Sequence, residues 1–465
     1  MKGGISIQSN NPIERDVGIN IYTTDTLGLG GIIKDTPSDF IVREITPNGE
    51  ILTTGIVDKK IDLSLNETTK TKYTHFNVVK RHEDTIVAAQ LIAAALKVPR
   101  DIISWAGLKD NHAITVQRMC IKGDHLAEVS KLQFNNIFIK DIHYGRKKIR
   151  TGDLWGNHFD IVIRNLGNDE ENNPLDHINA LTRDKISGIL KEATSSINER
   201  GFPNFFGLQR FGSYRPNSHT IGKLIFLGDY KKAIEEFLMK SYPKEYDNVK
   251  NARNNLRETK DYEKALNEFP NVLKYERSVI NYLIHNPGNY KTALKQLPTP
   301  LTRLLMSAYQ SYLFNKALTT RKKSGFELDK PYKGDIISIL AEENGEITHL
   351  RYKYGGSYDE SLDKALKMRR ALVMCPIIGF ESENDDNFFS EIYNLVLEEE
   401  NFAYSDFKSD FSPTEFKGTD RSIIIRPQFL DTRYRPEKGS ASIELRFSLP
   451  KGTYATMLIR EFTKN

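Results

Sequence analysis

The stretch AGLKDNHAITVQ, residues 106–117, lies between an alanine-rich segment with a helical pattern and an apolar segment with a strand pattern. Lys109 and Asp110 stand side by side in it, after Gly107 and before small and polar residues. A loop beside a strand is a place where a rigid scaffold commonly presents reactive groups. For such residues taken alone, a solvated ion pair in a turn is the more ordinary interpretation. The stretch therefore indicates where a reactive carboxylate could stand, and both interpretations are open at this point.

The segments on either side of this stretch predict a mixture of strands and helices. Residues 72–80 alternate between apolar and polar side chains as a strand does, and the segment 86–98 has the dense apolar pattern of a buried helix. From about residue 218 to 410 helical patterns dominate, and a clean strand alternation returns at residues 443–449. The pattern predicts a sheet-containing region at both ends of the chain and a mainly helical region between them.

Three further segments concentrate rings, glycines and charges. The first, KDTPSDFIVRE at residues 34–44, has a Pro-Ser turn between Lys34 and Phe40. The second, PNFFGLQRFG at residues 203–212, contains two glycines, three phenylalanines and an arginine. The third, FSLPKGTYAT at residues 447–456, links an alternating strand to a last helical pattern. Taken singly, such aromatic residues are at least as typical of a packed core as of a binding site.

Together these segments resemble the motifs of the TruD family of RNA pseudouridine synthases. AGLKD followed by A-x-T-x-Q resembles the family's catalytic motif, so the resemblance implies that Asp110 is the catalytic aspartate. It also implies that Phe40 and Tyr454 contact the target base, and that Asn204 and Phe206 build the uridine pocket and order the catalytic loop. An aromatic ring can stack on a uracil and an amide can pair with its edge.

Polar residues around these positions complete the expected site. The resemblance places Lys34 near the active site, and supporting roles are expected for Lys109, Gln117, Gln209 and Arg210. Asp110 must stay ionised in a pocket that excludes water, and a nearby cation favours the ionised form. Lys34, Lys109 and Arg210 are candidates for this cation. Because neighbours on an extended loop point to opposite sides, Lys109 is expected to face away from Asp110.

The resemblance also implies the architecture. The expected fold is α+β, with a mixed and largely antiparallel pseudouridine-synthase sheet flanked by helices. Residues 1–215 and 418–465 would form this discontinuous catalytic core, and residues 216–417 would form an inserted, mainly helical α+β domain of the TruD type. The inserted domain is expected to grip the RNA.

The implied reaction is the conversion of uridine to pseudouridine, for which the family's best-known target is uridine 13 in the D-arm of tRNA. The N1–C1′ bond breaks, the uracil turns within the site, and C5 joins C1′. No electrons are transferred and the leaving uracil can carry negative charge, so neither a cofactor nor a metal ion is expected. Asp110 could attack C1′ or remove the 2′ proton, and the sequence leaves both routes open.

Composition is consistent with this function without selecting it. The 465 residues carry a net charge of +5, which is compatible with nucleic acid but mild. Two cysteines cannot form a disulfide framework, which suits the cytoplasm, and no apolar run is long enough for a membrane span. The ten histidines show no metal-ligand spacing. We expect a cytoplasmic monomer that binds tRNA.

Three alternatives stay open at this level. A non-catalytic RNA-binding scaffold would use the helical insertion and would bind RNA without forming product. A metal-dependent nuclease would use Asp110 together with Glu44 or Asp39, and it would require these carboxylates to converge on a divalent ion. An N-glycosidase acting on nucleosides would release free uracil.

Overall fold

The computed structural model describes residues 8–55, 61–62, 73–168, 182–341, 347–357, 359–411, 416–437 and 440–465. The chain forms two compact units, each assembled from separate stretches of sequence. The first, here called the sheet unit, consists of Thr23–Phe202, Leu340–Thr348 and Ile425–Asn465. The second, the helical unit, consists of Met1–Tyr22, Pro203–Ile339 and His349–Ile424. The predicted α+β class is confirmed.

The elements follow one another along the described chain. The strands are β1 (Ile32–Ile33), β2 (Phe40–Ile45), β3 (Ile61–Asp62), β4 (Tyr73–Arg81), β5 (Ile103–Trp105), β6 (Ile114–Lys122), β7 (Ile137–Gly145), β8 (Gly156–Arg164), β9 (Phe202–Pro203), β10 (Ile336–Leu340), β11 (Ile347–Lys353), β12 (Ala371–Ile378), β13 (Gly418–Ser422), β14 (Ile424–Ile425), β15 (Gln428–Glu437) and β16 (Ser440–Pro450). The helices are α1 (Pro12–Asp16), α2 (Thr85–Leu96), α3 (Leu126–Lys131), α4 (Arg183–Arg200), α5 (Ser218–Phe226), α6 (Tyr230–Met239), α7 (Asp247–Thr259), α8 (Tyr262–Glu268), α9 (Lys274–His285), α10 (Tyr290–Leu294), α11 (Thr299–Lys323), α12 (Glu360–Lys367), α13 (Phe388–Glu400) and α14 (Ala455–Thr463).

The sheet unit is organised around one large sheet with the strand order β15-β16-β8-β2-β6-β4-β7-β3. Strand β1 pairs with β8, and β5 pairs with β6. Most neighbours are antiparallel, whereas β2 with β6 and β3 with β7 are parallel. The sheet is therefore mixed and largely antiparallel, as predicted.

Helix α2 confirms the buried helix predicted from the alanine-rich segment. The Asp84 side chain caps it by accepting hydrogen bonds from the backbone of Ile86 and Val87, and Lys97 ends it in the left-handed conformation. Its buried face packs against one side of the sheet, in a cluster that includes Ala88, Ala89, Ile92, Phe76, Val78 and Met119. The loop that follows, between β5 and β6, is consequently built on a rigid base.

The C-terminal strand β16 lies inside this sheet, between β15 and β8. Leu449 pairs with Asn157 and Pro450 pairs with Gly156. Strand β8 in turn pairs with β2, so the two ends of the chain share one sheet. This agrees with the prediction that the C-terminal strands rejoin the N-terminal ones. Helix α4 packs against β15, and it begins at Arg183 after its N-cap Thr182.

The helical unit is organised around α11, a helix of 25 residues whose middle is buried. Helix α5 approaches it closely at Gly222, where a Cβ atom would lie only 2.2 Å from the carbonyl oxygen of Leu305. Helices α6 to α10 follow α5 along the chain, and a small sheet has the order β11-β10-β12-β13. None of the described helices is both long and apolar enough to cross a membrane.

Candidate active site

The loop between β5 and β6 is held in place by two buried polar side chains. Gln117 Nε2 donates a hydrogen bond to the carbonyl of Gly107, at 3.1 Å. Thr85 Oγ1 donates to Gln117 Oε1 at 3.0 Å and accepts from the backbone N–H of Lys109 at 3.2 Å. Gln117 and Thr85 are both fully buried. The predicted supporting residue Gln117 thus fixes the backbone that leads to Asp110.

A third anchor of this loop is a buried lysine. Lys80 has no exposed surface, and its ammonium donates to the carbonyls of Glu83 and Asp110 at 2.6 and 2.9 Å. Burial lowers the pKa of Lys80 to about 8. Sequence reasoning missed this residue, although one signal was present: a lysine directly after Val78 and Val79 in a strand pattern. Its partner could not be read from that pattern.

The Asp110 carboxylate has one cationic and one neutral partner. Lys34 Nζ donates to Oδ2, and the backbone N–H of His112 donates to Oδ1 at 2.9 Å. The side chains of Lys34 and Asp110 are 21% and 18% exposed, so the ion pair is shielded but reachable. Of the three cations considered from the sequence, Lys34 is the one seen to bind Asp110.

Lys34 itself adopts an uncommon backbone conformation. Its φ angle is +60°, in the left-handed region that residues other than glycine occupy infrequently. Its ammonium lies 4.5 Å from the centroid of the Phe40 ring, within the range of a cation–π contact. Such conformations cost free energy and are common at functional sites. Lys34 therefore brings Phe40 and Asp110 together through one side chain.

Phe40 is mostly part of the sheet core. Its side chain is 4% exposed and meets Phe159 edge to face, with 6.3 Å between the ring centroids. In this structure its polar contact is the Lys34 ammonium. The ring therefore supports the cation that binds Asp110.

Lys109 points away from Asp110, as alternation along the loop predicted. Its ammonium lies 3.2 Å from Glu44 Oε2, and the two side chains are 3% and 0% exposed. Glu44 also binds Arg118, whose Nε is 3.1 Å from Oε1. A buried ion pair is favourable only when its groups are well matched, and two cations around Glu44 supply this match. Lys109 thus ties the loop to β2.

The carboxylates named in the nuclease hypothesis, Asp110 with Glu44 or Asp39, are each bound to a different cation. Asp110 binds Lys34, Glu44 binds Lys109, and Asp39 binds Arg164 at 2.7 Å. Burial alone would raise the pKa of Asp39, but the hydrogen bonds from Arg164 and Thr36 lower it overall. Among the described residues, no group of three or more His, Cys, Asp or Glu side chains is arranged to hold a metal ion. These contacts do not favour a two-carboxylate metal site.

Tyr454 stands between the last strand, which ends at Pro450, and the last helix. It is the N-cap residue of α14 and is half-buried. The strand before it ends at Pro450, which pairs with Gly156, and Gly156 also pairs with Ile45 at the end of β2. Phe40 begins β2. The chain therefore leaves the sheet for Tyr454 beside the end of β2 that is opposite to Phe40.

In the helical unit, the amide of Asn204 is fully used in internal hydrogen bonds. Its Nδ2 donates to the carbonyl and the hydroxyl of Ser422, at 3.0 and 2.9 Å. Its Oδ1 accepts from Arg421 at 2.6 Å, and its side chain is buried. The amide therefore joins the segment 203–212 to β13 within this unit.

Phe206 is half-buried between a bracing amide and a cation. Asn315 of α11 accepts from its N–H at 2.9 Å and donates to its carbonyl at 3.0 Å. The guanidinium carbon of Arg421 lies 4.1 Å from the ring centroid, and Phe314 meets the ring edge to face. Sequence reasoning did not select Arg421 or Asn315, because both lie more than a hundred residues from Phe206.

The last two predicted residues differ in exposure. Arg210 donates to Ser311 at 3.1 Å and to Ser307 at 2.9 Å, both on α11. Gln209, its neighbour, is exposed. The segment turns back at Gly212, whose φ is +105° and where a Cβ would lie 2.3 Å from the carbonyl of Arg215. The glycine is required there by backbone conformation.

The chain was compared with known families and structures. The family model described as tRNA pseudouridine synthase D (TruD) matches residues 16–462, nearly the whole chain. The chain belongs to the TruD family. Its members are named as tRNA pseudouridine synthases, a class of isomerase, and the resemblance seen in the motifs is confirmed.

Individual TruD relatives match over almost their full length. "Probable tRNA pseudouridine synthase D" of Methanosarcina mazei is 34% identical over 456 residues, which covers 97% of each chain. The protein of the same name from Pyrococcus furiosus is 33% identical, covering 96% of this chain and 98% of its own. A crystal structure of a Methanosarcina mazei protein assigned to TruD has a TM-score of 0.78 at 32% identity, and each chain is covered to 98%.

Proposed function

We propose that this TruD-family protein converts uridine to pseudouridine in tRNA, at uridine 13 of the D-arm, with Asp110 as the catalytic carboxylate. One observation carries the assignment of Asp110. Its carboxylate is shielded, bound to Lys34 and to a backbone N–H, and presented by a loop that Gln117, Thr85 and Lys80 anchor. The choice of nucleotide follows from the family resemblance.

The reaction needs an ionised carboxylate beside the ribose. In either route the N1–C1′ bond breaks and its electron pair leaves with the uracil. Asp110 then carries the sugar as an ester at C1′, or it has taken the 2′ proton. The turned uracil forms the C5–C1′ bond as Asp110 leaves C1′ or returns the proton to C2′, which regenerates the carboxylate. The uracil then loses its C5 proton and gains a proton at N1. The Lys34 ammonium forms an ion pair with this carboxylate and holds it in position before the reaction.

We propose distinct roles for the three aromatic residues. Phe206 and Tyr454 are both half-buried and are proposed to stack on the turned uracil. Phe40 is packed in the sheet and supports Lys34, so its effect on the base is proposed to act through that ammonium. Asn204 is proposed to order the pocket rather than to read the base, since its amide is already paired with Ser422 and Arg421.

We also propose that different parts of the chain carry out catalysis and tRNA binding. Residues 1–215 and 418–465 would supply the catalytic core, and residues 216–417 would grip the body of the tRNA. The compact units group residues 1–22, 203–215 and 418–424 with the helices, so the helical unit also contains the Asn204 segment. We propose that the enzyme works as a monomer in the cytoplasm, without a metal ion or another cofactor.

The test is a metal-free assay on tRNA. Wild-type protein and the Asp110→Ala variant are incubated with an unmodified tRNA transcript in EDTA. Pseudouridine is then mapped by carbodiimide treatment and primer extension. We expect a stop in the D-arm with wild-type protein and none with the variant.

Other outcomes separate the alternatives. RNA binding without any stop on any tRNA supports the non-catalytic scaffold. Cleavage that disappears in EDTA supports a nuclease, and free uracil supports an N-glycosidase. A stop outside the D-arm keeps the reaction and overturns the choice of nucleotide.

A further inference from the structure

One large apolar side chain on the Asp110 loop has no role in the scheme above. Leu108 stands two residues before Asp110 and is 65% exposed. A single exposed leucine is ordinary on a protein surface, so exposure alone indicates nothing. Its meaning here depends on how the backbone around it is held.

The peptide groups on both sides of Leu108 are fixed by buried side chains. The carbonyl of Gly107 accepts from Gln117, and the N–H of Lys109 donates to Thr85. One more residue along, the carbonyl of Asp110 accepts from the fully buried Lys80. The backbone at Leu108 therefore cannot easily turn the side chain inward, and the loop holds it toward solvent.

Leu108 presents an apolar side chain to solvent, whereas the residues on either side of it present none. Gly107 has no side chain, and the Lys109 side chain is buried against Glu44. The Cα atoms of residues 108 and 110 can be at most about 7 Å apart, which is close to the height of two stacked base steps. A group at position 108 thus lies within reach of the base next to any nucleotide whose sugar meets Asp110.

We propose that Leu108 is the residue that enters the RNA base stack beside the target uridine and fills the space left when that uridine turns out. This inference rests on the proposed function. Turning a base out of a stack costs free energy, and proteins that deform nucleic acids commonly insert leucine, isoleucine or methionine between base steps. Contact with the bases also removes the exposed leucine from water. A leucine whose backbone is already fixed is suited to this role, because little backbone freedom is lost when its side chain inserts.

The first test compares Leu108→Ala with a matched control, Leu27→Ala. Leu27 is 60% exposed and belongs to the same unit, but it is not part of the site. Single-turnover pseudouridine formation is measured on folded tRNA and on the same tRNA with mismatches that unstack the target uridine. We expect Leu108→Ala to form pseudouridine at least about tenfold more slowly than wild type on folded tRNA. A rate loss of this size corresponds to the loss of one stacking contact. On the mismatched tRNA the rate of Leu108→Ala should equal that of wild type. The rate of Leu27→Ala should equal that of wild type on both tRNAs.

A second readout does not depend on turnover. In the Asp110→Asn background, 2-aminopurine is placed next to the target uridine, and its fluorescence reports unstacking upon binding. The signal should rise with Leu108 present and stay low with Leu108→Ala, while Leu108→Met should restore it. This readout decides the question if the mismatched tRNA is not turned over.

The outcomes distinguish the two proposals. Equal rates of Leu108→Ala and wild type on folded tRNA, or an equal loss on both tRNAs with unchanged fluorescence, would overturn the role of Leu108. In both cases wild-type product shows that the reaction itself stands. Absence of product with wild-type protein on every tRNA would instead overturn the proposed function. Thermal unfolding of both variants verifies that they are folded.

Discussion

The Asp110 loop and the segment 203–212 look equally functional in sequence, but their polar groups are used differently. The Asp110 carboxylate is partly exposed and is held by Lys34 and one N–H. The Asn204 amide is buried, and both its donors and its oxygen are satisfied by Ser422 and Arg421. A group with all its hydrogen bonds made inside the protein has little left for a substrate. The contacts of a motif residue therefore distinguish a polar group that braces the fold from one that is left available for a substrate.

The same contrast holds for the cations. Lys34 binds a carboxylate that solvent can reach. Lys80 and Lys109 are buried and stabilise the backbone of the loop through the Asp110 carbonyl and Glu44. Arg421 and Arg210 bind groups of the helical unit. The comparison predicts that substitutions at the Asp110 loop change chemistry, and that those at the Asn204 segment change stability first.

The largest effect is expected for Asp110→Asn, which keeps the shape of the side chain and removes its charge. Turnover should fall by about 10³-fold or more, because a positioned carboxylate contributes on this scale. Binding of tRNA, measured by gel shift, should stay within about threefold of wild type, since the exposed part of the side chain is small. Turnover of Asp110→Asn near the wild-type level would show that the Asp110 carboxylate is not the catalytic group.

Lys80→Met is expected to lower turnover by roughly tenfold or more, because the loop carbonyls lose a charged donor. The pH profile is the sharper measurement. Lys80 titrates near pH 8, so wild-type turnover should fall as the pH rises through about 8, and the variant should lack this fall.

The contribution of Lys80 to the free energy of unfolding should rise with pH, whereas turnover should fall. The pKa of Lys80 is lower in the folded protein, about 8, than its ordinary value of 10.5. Between these pH values the unfolded chain binds more protons, so the contribution of Lys80 to the free energy of unfolding rises with pH. We therefore measure the free energy of unfolding of wild type and of Lys80→Met by denaturant titration at several pH values. The difference, wild type minus variant, should increase from pH 8 to 10. Parallel curves for the two proteins would show that Lys80 is not the titrating group.

Asn204→Ala tests the bracing half of the comparison. Removing the amide leaves buried groups of Ser422 and Arg421 without their partner, which should lower the free energy of unfolding by about 1–3 kcal/mol. Denaturant titration measures this loss, and Asp110→Asn is the matched control with little expected change. A fully stable Asn204→Ala protein that fails to turn over tRNA would mean that the amide reads the base.

Gln209→Ala should have the smallest effect. Gln209 is exposed, so its replacement is expected to change the free energy of unfolding by less than about 0.5 kcal/mol. Turnover should also stay near wild type if the side chain only supports the segment. A marked rise in KM for tRNA with unchanged unfolding would instead make Gln209 an RNA contact.

The sequence by itself determined the local elements and the central motif. Alternation predicted β4, and the dense apolar pattern of residues 86–98 predicted α2, because both depend on side chains a few residues apart. The family resemblance placed Asp110 on the loop before β6, and alternation predicted that Lys109 faces away from it. The mixed, largely antiparallel sheet also followed from the resemblance.

Only the tertiary structure decided which residues meet. Lys34 and Asp110 are 76 residues apart, Lys80 and Asp110 are 30 apart, and Asn204 and Arg421 are 217 apart. Such pairs depend on the order and register of strands such as β2, β6 and β4, which no local pattern encodes. A buried lysine in a strand shows in sequence that a partner must exist, because an unpaired buried charge is costly. The fold alone shows that the partner is the loop that carries Asp110.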